Sequence, residues 1–246
     1  MCSIYFYFVV ILFIYFYCMK ILIVSATKFE IAPLLEAMGA PEILNSHLSR
    51  FQTNQHQVDI LITGVGMVFT AFYLGTLLAN SKYDCAINAG VAGAIDKKLQ
   101  LGEIINVVDD YFYELGAEDG DDWLSITDLN LLTQNDFPYT LNGLVNTNTP
   151  KVPLIMVLKE VKGQTVNKVH GNTQSIKTMK SRSMAQIESM EGAAFLYCAL
   201  KHNIPCAQIR AISNYVETRN KASWQIKEAI LNLNEFLKQL VLSSSL

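Results

Sequence analysis

Little in this chain suggests a metal, a redox couple or a nucleic acid. Its 4 histidines, His47, His56, His170 and His202, are scattered, and its 5 cysteines form no C-x-x-C pair. Neither set has metal-ligand spacing, so no metal site is expected. Cys85, Cys198 and Cys206 sit in apolar runs and read as reduced, buried thiols, which points to a cytoplasmic setting. Charge is scarce and mixed, with a formal net charge of −3, so there is no electrostatic case for nucleic acid. What the chain does have is apolar content: 51% of its 246 residues, enough for one large core and one domain. No internal repeat, low-complexity segment or linker interrupts it.

Residues 1–18, MCSIYFYFVVILFIYFYC, carry no charge. A secretory signal needs a cationic start and a small-residue cleavage site, and both are missing. The segment is at the short limit for a membrane span. A core strand begins directly at Met19-Lys20-Ile21-Leu22. Met19 is therefore expected to be the functional start of a single domain, 19–246, with no membrane association. An anchor at 1–18 is the alternative.

From Met19 the pattern alternates strand and helix, which predicts an α/β fold with a mostly parallel sheet. Lys20–Ser25 is an apolar run of buried-strand length, followed by a helix from about Phe29 to Gly39. Val58–Thr63 is a second strand, closed by Gly64-Val65-Gly66 and a helix through Asn80. The glycines are not a dinucleotide fingerprint, because Phe69 stands at the third glycine position. Asp84–Asn88 is a third strand that runs into the small residues Ala89–Ala94. Strands are also expected at Gly102–Asp110, Gly163–His170 and Ile187–Met190. The acidic stretch Glu114–Leu132 reads as a solvated excursion or a subunit contact. Near the end, Ala207–Ile212 is a strand that breaks at Ser213-Asn214, and Trp224–Leu240 is an amphipathic helix.

Two carboxylates stand at strand-to-helix junctions, Glu30 and Glu191. Each could complement a helix dipole or serve as a catalytic carboxylate at a crevice, and position alone favours the first. Arg210 and Asn214 lie at the carboxyl end of a buried strand, where polar groups need partners and where open α/β sheets bind ligands. His170 reads as a structural or wall histidine, with a general acid as the minority reading.

Five motifs, MKILIVSATKFE at 19–30, TGVGM at 63–67, NAGVAGA at 88–94, SMEGAA at 189–194 and RAISN at 210–214, resemble in order and spacing the purine nucleosidase/phosphorylase superfamily. ELGAEDGDDWLS, VNKVHG and IRAISNYVETRN resemble its futalosine hydrolase family. The resemblance implies a three-layer α/β fold with a mixed, mostly parallel central sheet flanked by helices. It also implies hydrolysis of an N-glycosidic bond in menaquinone biosynthesis, a small-molecule nucleoside substrate, no cofactor, and a homodimer or homotetramer. By the same resemblance Glu30 activates the attacking water, Glu191 beside Met190 holds the ribose hydroxyls, and Arg210 lies near the water and the acids. Asn214 faces purine N7, Gly66, Val91 and Gly93 border the substrate, and the backbone at Asn172–Ser175 reads the purine edge.

The chemistry of these residues is selective. An amide at position 214 donates a hydrogen bond but cannot protonate N7, which suits a 6-oxopurine leaving group better than adenine. Phosphorylases of this superfamily carry an arginine where this chain has Asn88 and a hydroxyl where it has Val91, so water is the expected nucleophile. The competing readings are a nucleosidase for 6-aminopurines, which Asn214 opposes, and a non-catalytic nucleoside-binding protein, which has no use for a water-activating carboxylate.

Overall fold

The computed structural model describes residues 19–53 and 55–242, so the expectations about 1–18 lie outside the described residues. In chain order the elements are β1 (Lys20–Ser25), α1 (Ala32–Met38), β2 (Glu42–Ile43), β3 (Leu48–Gln52), β4 (Gln57–Ile62), α2 (Met67–Asn80), β5 (Cys85–Ala94) and β6 (Ile104–Asp110). There follow β7 (Gly116–Asp119), β8 (Asp122–Ser125), β9 (Leu144–Val145), α3 (Pro153–Met156), β10 (Lys159–Thr165), α4 (Thr173–Arg182), β11 (Ile187–Ser189), α5 (Gly192–Lys201), β12 (Cys206–Tyr215) and α6 (Ile226–Leu242).

The layering follows from the side-chain period of the strands. On β1, Ile21 and Ile23 enter one apolar cluster with Leu34 of α1 and Leu233 and Leu237 of α6. Leu22 and Val24, on the opposite face, enter another with Leu74 of α2 and Phe195 and Leu196 of α5. Both faces of the strand are buried, which is why its sequence is a continuous apolar run rather than an alternation. Helices therefore cover the sheet on both sides, as the three-layer expectation required.

The main sheet runs β11-β10-β6-β12-β5-β1-β4-β3-β2, with β9 paired to β6. Its centre, β4-β1-β5-β12, is parallel, while β3, β2, β6 and β9 bring in antiparallel pairs, making the sheet mixed. β11 pairs with β10 on one side and antiparallel with β5 on the other, Glu188 opposite Gly93. The sheet thus curls closed through β5, β12, β6, β10 and β11. The acidic stretch after β6 forms a separate two-stranded hairpin, β7-β8. Among the described residues no helix is long and apolar enough to cross a membrane.

Three strand ends differ from the sequence expectation: β5 runs on through the small residues to Ala94 rather than ending at Asn88. β12 does not stop at Ser213 but continues to Tyr215, with a register shift between Ile212 and Asn214. An extra residue at a bulge keeps the strand paired while re-aiming the side chains beyond it. β10 stops at Thr165 rather than His170. Beyond it the backbone N–H groups of Asn167 and His170 bond to side chains, Glu114 Oε2 at 2.8 Å and Glu188 Oε1 at 2.9 Å, in place of a neighbouring strand.

One buried polar residue joins the first helix to the last. Asn234 of α6 is fully buried; its Oδ1 accepts from Leu34 N at 2.9 Å and its Nδ2 donates to Glu30 O at 2.8 Å. The N–H of Leu34 belongs to the first turn of α1 and has no partner within that helix. Replacing Asn234 with Leu strands both backbone groups, an expected loss of about 1–3 kcal/mol. Urea unfolding of the variant measures it, and unchanged stability would remove Asn234 from this role.

Candidate active site

The carboxyl ends of β1, β5 and β12 and the loop after β11 enclose a cavity of about 390 Å³. Glu30, Val91, Gly93, Met190, Glu191 and Asn214 all line it. The structure thus brings six of the nine sequence-predicted site residues to one wall. Two more, Arg210 and Gly66, support that wall from behind, and the ninth, Asn172, lies elsewhere.

Glu30 sits on the single 3-10 turn Phe29–Ile31 that follows β1. Its Oε2 accepts from Thr27 N at 3.1 Å and Thr27 Oγ1 at 3.0 Å, and its Oε1 accepts from Val91 N at 3.2 Å. Those donors fix the carboxylate at the cavity wall with one edge toward β5. This is more than dipole complementation.

Arg210 points from β12 across β5 and is only 1% exposed. Its Nη2 donates to Asn88 Oδ1, while its Nε has no partner among the described residues. The guanidinium lies over Gly90, directly opposite Arg210 in the β5–β12 register. A Cβ at position 90 would collide with it and would stand 2.9 Å from Glu30 Oε1. The small-residue run of β5 is therefore required by close approach, with arginine and glutamate sharing the space above one glycine.

Glu191 is also buried and accepts from Gly66 N at 2.9 Å. Gly66 has φ +104, so this N–H is presented from a backbone shape that favours glycine. Burial pushes the Glu191 carboxyl above its ordinary range, and the nearby Glu30 adds to the rise. The Arg210 charge and the Gly66 N–H oppose it. The site thus sets two carboxyl groups against one buried cation.

Asn214 owes its orientation to the bulge. Its Oδ1 accepts from Ser213 Oγ at 2.8 Å and its Nδ2 donates to Tyr215 O at 3.1 Å. One N–H of the amide has no partner among the described residues, on a side chain that lines the cavity. Asn172, by contrast, is not on the cavity wall. Its side-chain oxygen accepts from Gln174 N at 2.9 Å and Ser175 N at 3.3 Å, capping α4, so these two backbone N–H groups of the expected purine-edge segment are turned to the cap.

Several wall residues carried no clear sequence signal. Arg219 and Trp224 both line the mouth, the guanidinium 5.0 Å from the indole centroid. Arg219 falls inside the stretch IRAISNYVETRN and Trp224 just beyond it, but neither residue type there spells out a chemistry. Glu188 and His170 also line the cavity, bonded to each other. Among the described residues no three His, Cys, Asp or Glu side chains are grouped to hold a metal ion.

The charge of Arg210 also reaches a buried acid outside the cavity wall. Asp110 is fully buried and accepts from Gln208 Nε2 at 2.9 Å, Thr165 Oγ1 at 2.9 Å and Tyr111 N at 2.8 Å. Burial pushes its carboxyl up to about 6, against the pull of those donors and of Arg210.

The phosphorylase superfamily profile matches residues 20–243 of the chain. A futalosine hydrolase of Streptomyces coelicolor is 27% identical over 238 residues, covering 90% of this chain and 95% of that one. A futalosine hydrolase of Thermus thermophilus is 32% identical over 184 residues, covering 74% and 80%. Among solved structures, native futalosine hydrolase of Helicobacter pylori superposes with a TM-score of 0.73 at 18% identity, covering 91% of this chain and 97% of that one, and so shares the fold.

The Asp110 environment sets a pH dependence. Its carboxyl holds a proton more tightly folded than unfolded, so between about pH 4 and 6 the native state binds more protons and stability falls as pH rises. Asp110→Asn is free of this slope. The difference in unfolding free energy should move in the variant's favour by roughly 2–3 kcal/mol from pH 4 to 7. Urea titrations at each pH read it, and a flat difference would contradict the assignment.

Proposed function

The chain belongs to the phosphorylase superfamily, with the futalosine hydrolases among its relatives, and from that premise we propose that it hydrolyses futalosine to hypoxanthine and the base-free sugar, serving menaquinone biosynthesis. The observation that carries this reading is the seating of Glu30, Glu191 and Asn214 around one cavity with the buried Arg210 beneath it.

Cleavage of a purine N-glycosidic bond passes through an oxocarbenium-like sugar. In the proposed mechanism Glu30 takes a proton from the attacking water, and the three donors on its carboxylate hold it in the geometry that this transfer needs. Glu191 accepts from the ribose hydroxyls, and Met190 forms the adjoining wall. Arg210 supplies a fixed positive charge that favours ionised carboxylates. The free N–H of Asn214 donates to N7 as negative charge moves onto the departing base. A 6-oxopurine delocalises that charge, so a hydrogen bond suffices where adenine would need an acid.

Water rather than phosphate as nucleophile accords with positions 88 and 91. The Asn88 amide is committed on both ends, to Arg210 and to Val24 O at 3.1 Å. Val91 offers no hydroxyl. We also infer a homodimer or homotetramer, because Val65, in the turn before α2, and Val68, Phe69 and Phe72 on α2 expose 49–75% of their surfaces beside the cavity. A cytoplasmic setting accords with the buried, unpaired Cys85, Cys198 and Cys206.

Base release from futalosine, aminodeoxyfutalosine and methylthioadenosine, compared in parallel, tests the assignment. Hypoxanthine from futalosine is expected to dominate; adenine from the other two in its place would overturn the substrate. In the same assay Glu30→Gln should lower kcat about 10²–10⁴-fold with little change in KM. A variant turning over at the wild-type rate would exclude Glu30 as the base.

A further inference from the structure

Glu188 is a buried carboxylate on the cavity wall that the proposed hydrolysis does not use. It is 3% exposed and stands on β11 opposite Gly93. Its Oε1 accepts from His170 N at 2.9 Å, and its Oε2 accepts from Gln164 Nε2 at 3.4 Å and lies 2.7 Å from His170 Nδ1. With every contact asking it to accept, the carboxylate places the imidazole proton on Nδ1. The ring is further held edge-on to Tyr113, with centroids 5.3 Å apart at 81°. The other ring nitrogen, Nε2, has no protein partner among the described residues and belongs to a side chain on the cavity wall.

The pair lies at the same end of the cavity as Asn214. A Cβ at Gly93 would stand 3.3 Å from Asn214 Nδ2 and 3.8 Å from Glu188 Cγ, so both side chains converge over one glycine. Glu30 and Glu191 are tied instead to Val91 and Gly66. The cavity therefore has one end lined by Glu30 and Glu191 and another lined by the Asn214 amide and the His170 imidazole.

We propose that His170, with its tautomer set by Glu188, is a specificity-determining residue that accepts a hydrogen bond from N1–H of a 6-oxopurine. This deepens the nucleosidase reading and rests on it. A 6-oxopurine carries hydrogen at N1 and meets the Nε2 lone pair as a donor. A 6-aminopurine has a lone pair at N1, so two acceptors would face each other. Selection for the oxo base then has two sources, Asn214 at N7 and His170 at N1. Glu188 acts through His170 and is a positioning residue.

The test is the ratio of affinities for hypoxanthine and adenine, measured by calorimetry on the full chain. The wild type should favour hypoxanthine by about tenfold or more. Glu188→Gln keeps size and ring but presents an amide N–H to Nδ1, moving the ring proton to Nε2. The preference should then shrink at least about tenfold or invert, with Asn214 untouched. A merely structural Glu188 would weaken both bases equally and leave the ratio unchanged, which would overturn the proposal. Should the variant not fold, ¹⁵N spectra of histidine-labelled wild type decide the matter. A proton on Nδ1 with an Nε2 shift on adding hypoxanthine is expected; a proton on Nε2 would overturn it. Equal wild-type affinities would remove the His170 assignment and leave the nucleosidase reading standing, whereas binding of neither base would remove both.

Discussion

A guanidinium buried in the middle of a sheet is the constraint on which the rest of this structure depends. Arg210 is 1% exposed, and an isolated charge there would be prohibitive without compensation. The fold compensates in three ways. Asn88 accepts from Nη2, the Glu191 and Asp110 carboxyls feel its charge, and Gly90 leaves the space in which the group lies. Each of these depends on the parallel pairing of β5 with β12, which sets Arg210 opposite Gly90. A one-residue slip would turn the arginine to the other face of the sheet.

The same pairing explains why the site has two chemically different ends. Up to Ile212 the register is regular and the arginine side faces Glu30 and Glu191. The bulge at Ser213 then shifts it, so that Asn214 rather than Ser213 stands beside Gly93. One inserted residue thus separates the end that carries Glu30, Glu191 and Arg210 from the end that carries Asn214. Closure of the sheet through β11 adds Glu188 to that second end.

Much of this is legible in the sequence, and the remainder is hidden for identifiable reasons. The continuous runs of β1 and β4 mark strands buried on both faces, and the motif order points to Glu30, Glu191, Arg210 and Asn214. The bulge is illegible because polar residues at Ser213-Asn214 also describe an ordinary strand end; only the partner strand decides. His170 reads as a wall or structural histidine, and it is indeed on the wall, but its partner Glu188 lies 18 residues away on β11. The resemblance draws Asn172 to the substrate, although Asn before Thr-Gln-Ser is an equally good helix cap. Asn234 does leave a signal: a polar residue on the face that Ile230, Leu233 and Leu237 make apolar. A buried polar residue there implies a distant backbone partner.

The central claim is that this arrangement delivers water, not an anion, to the sugar carbon. It is tested most directly by following base release from futalosine in phosphate-free buffer and again with phosphate added, while identifying the sugar product. The account predicts the same initial rate in both and free sugar as the product in both. Release that begins only with phosphate and yields a sugar 1-phosphate would contradict it.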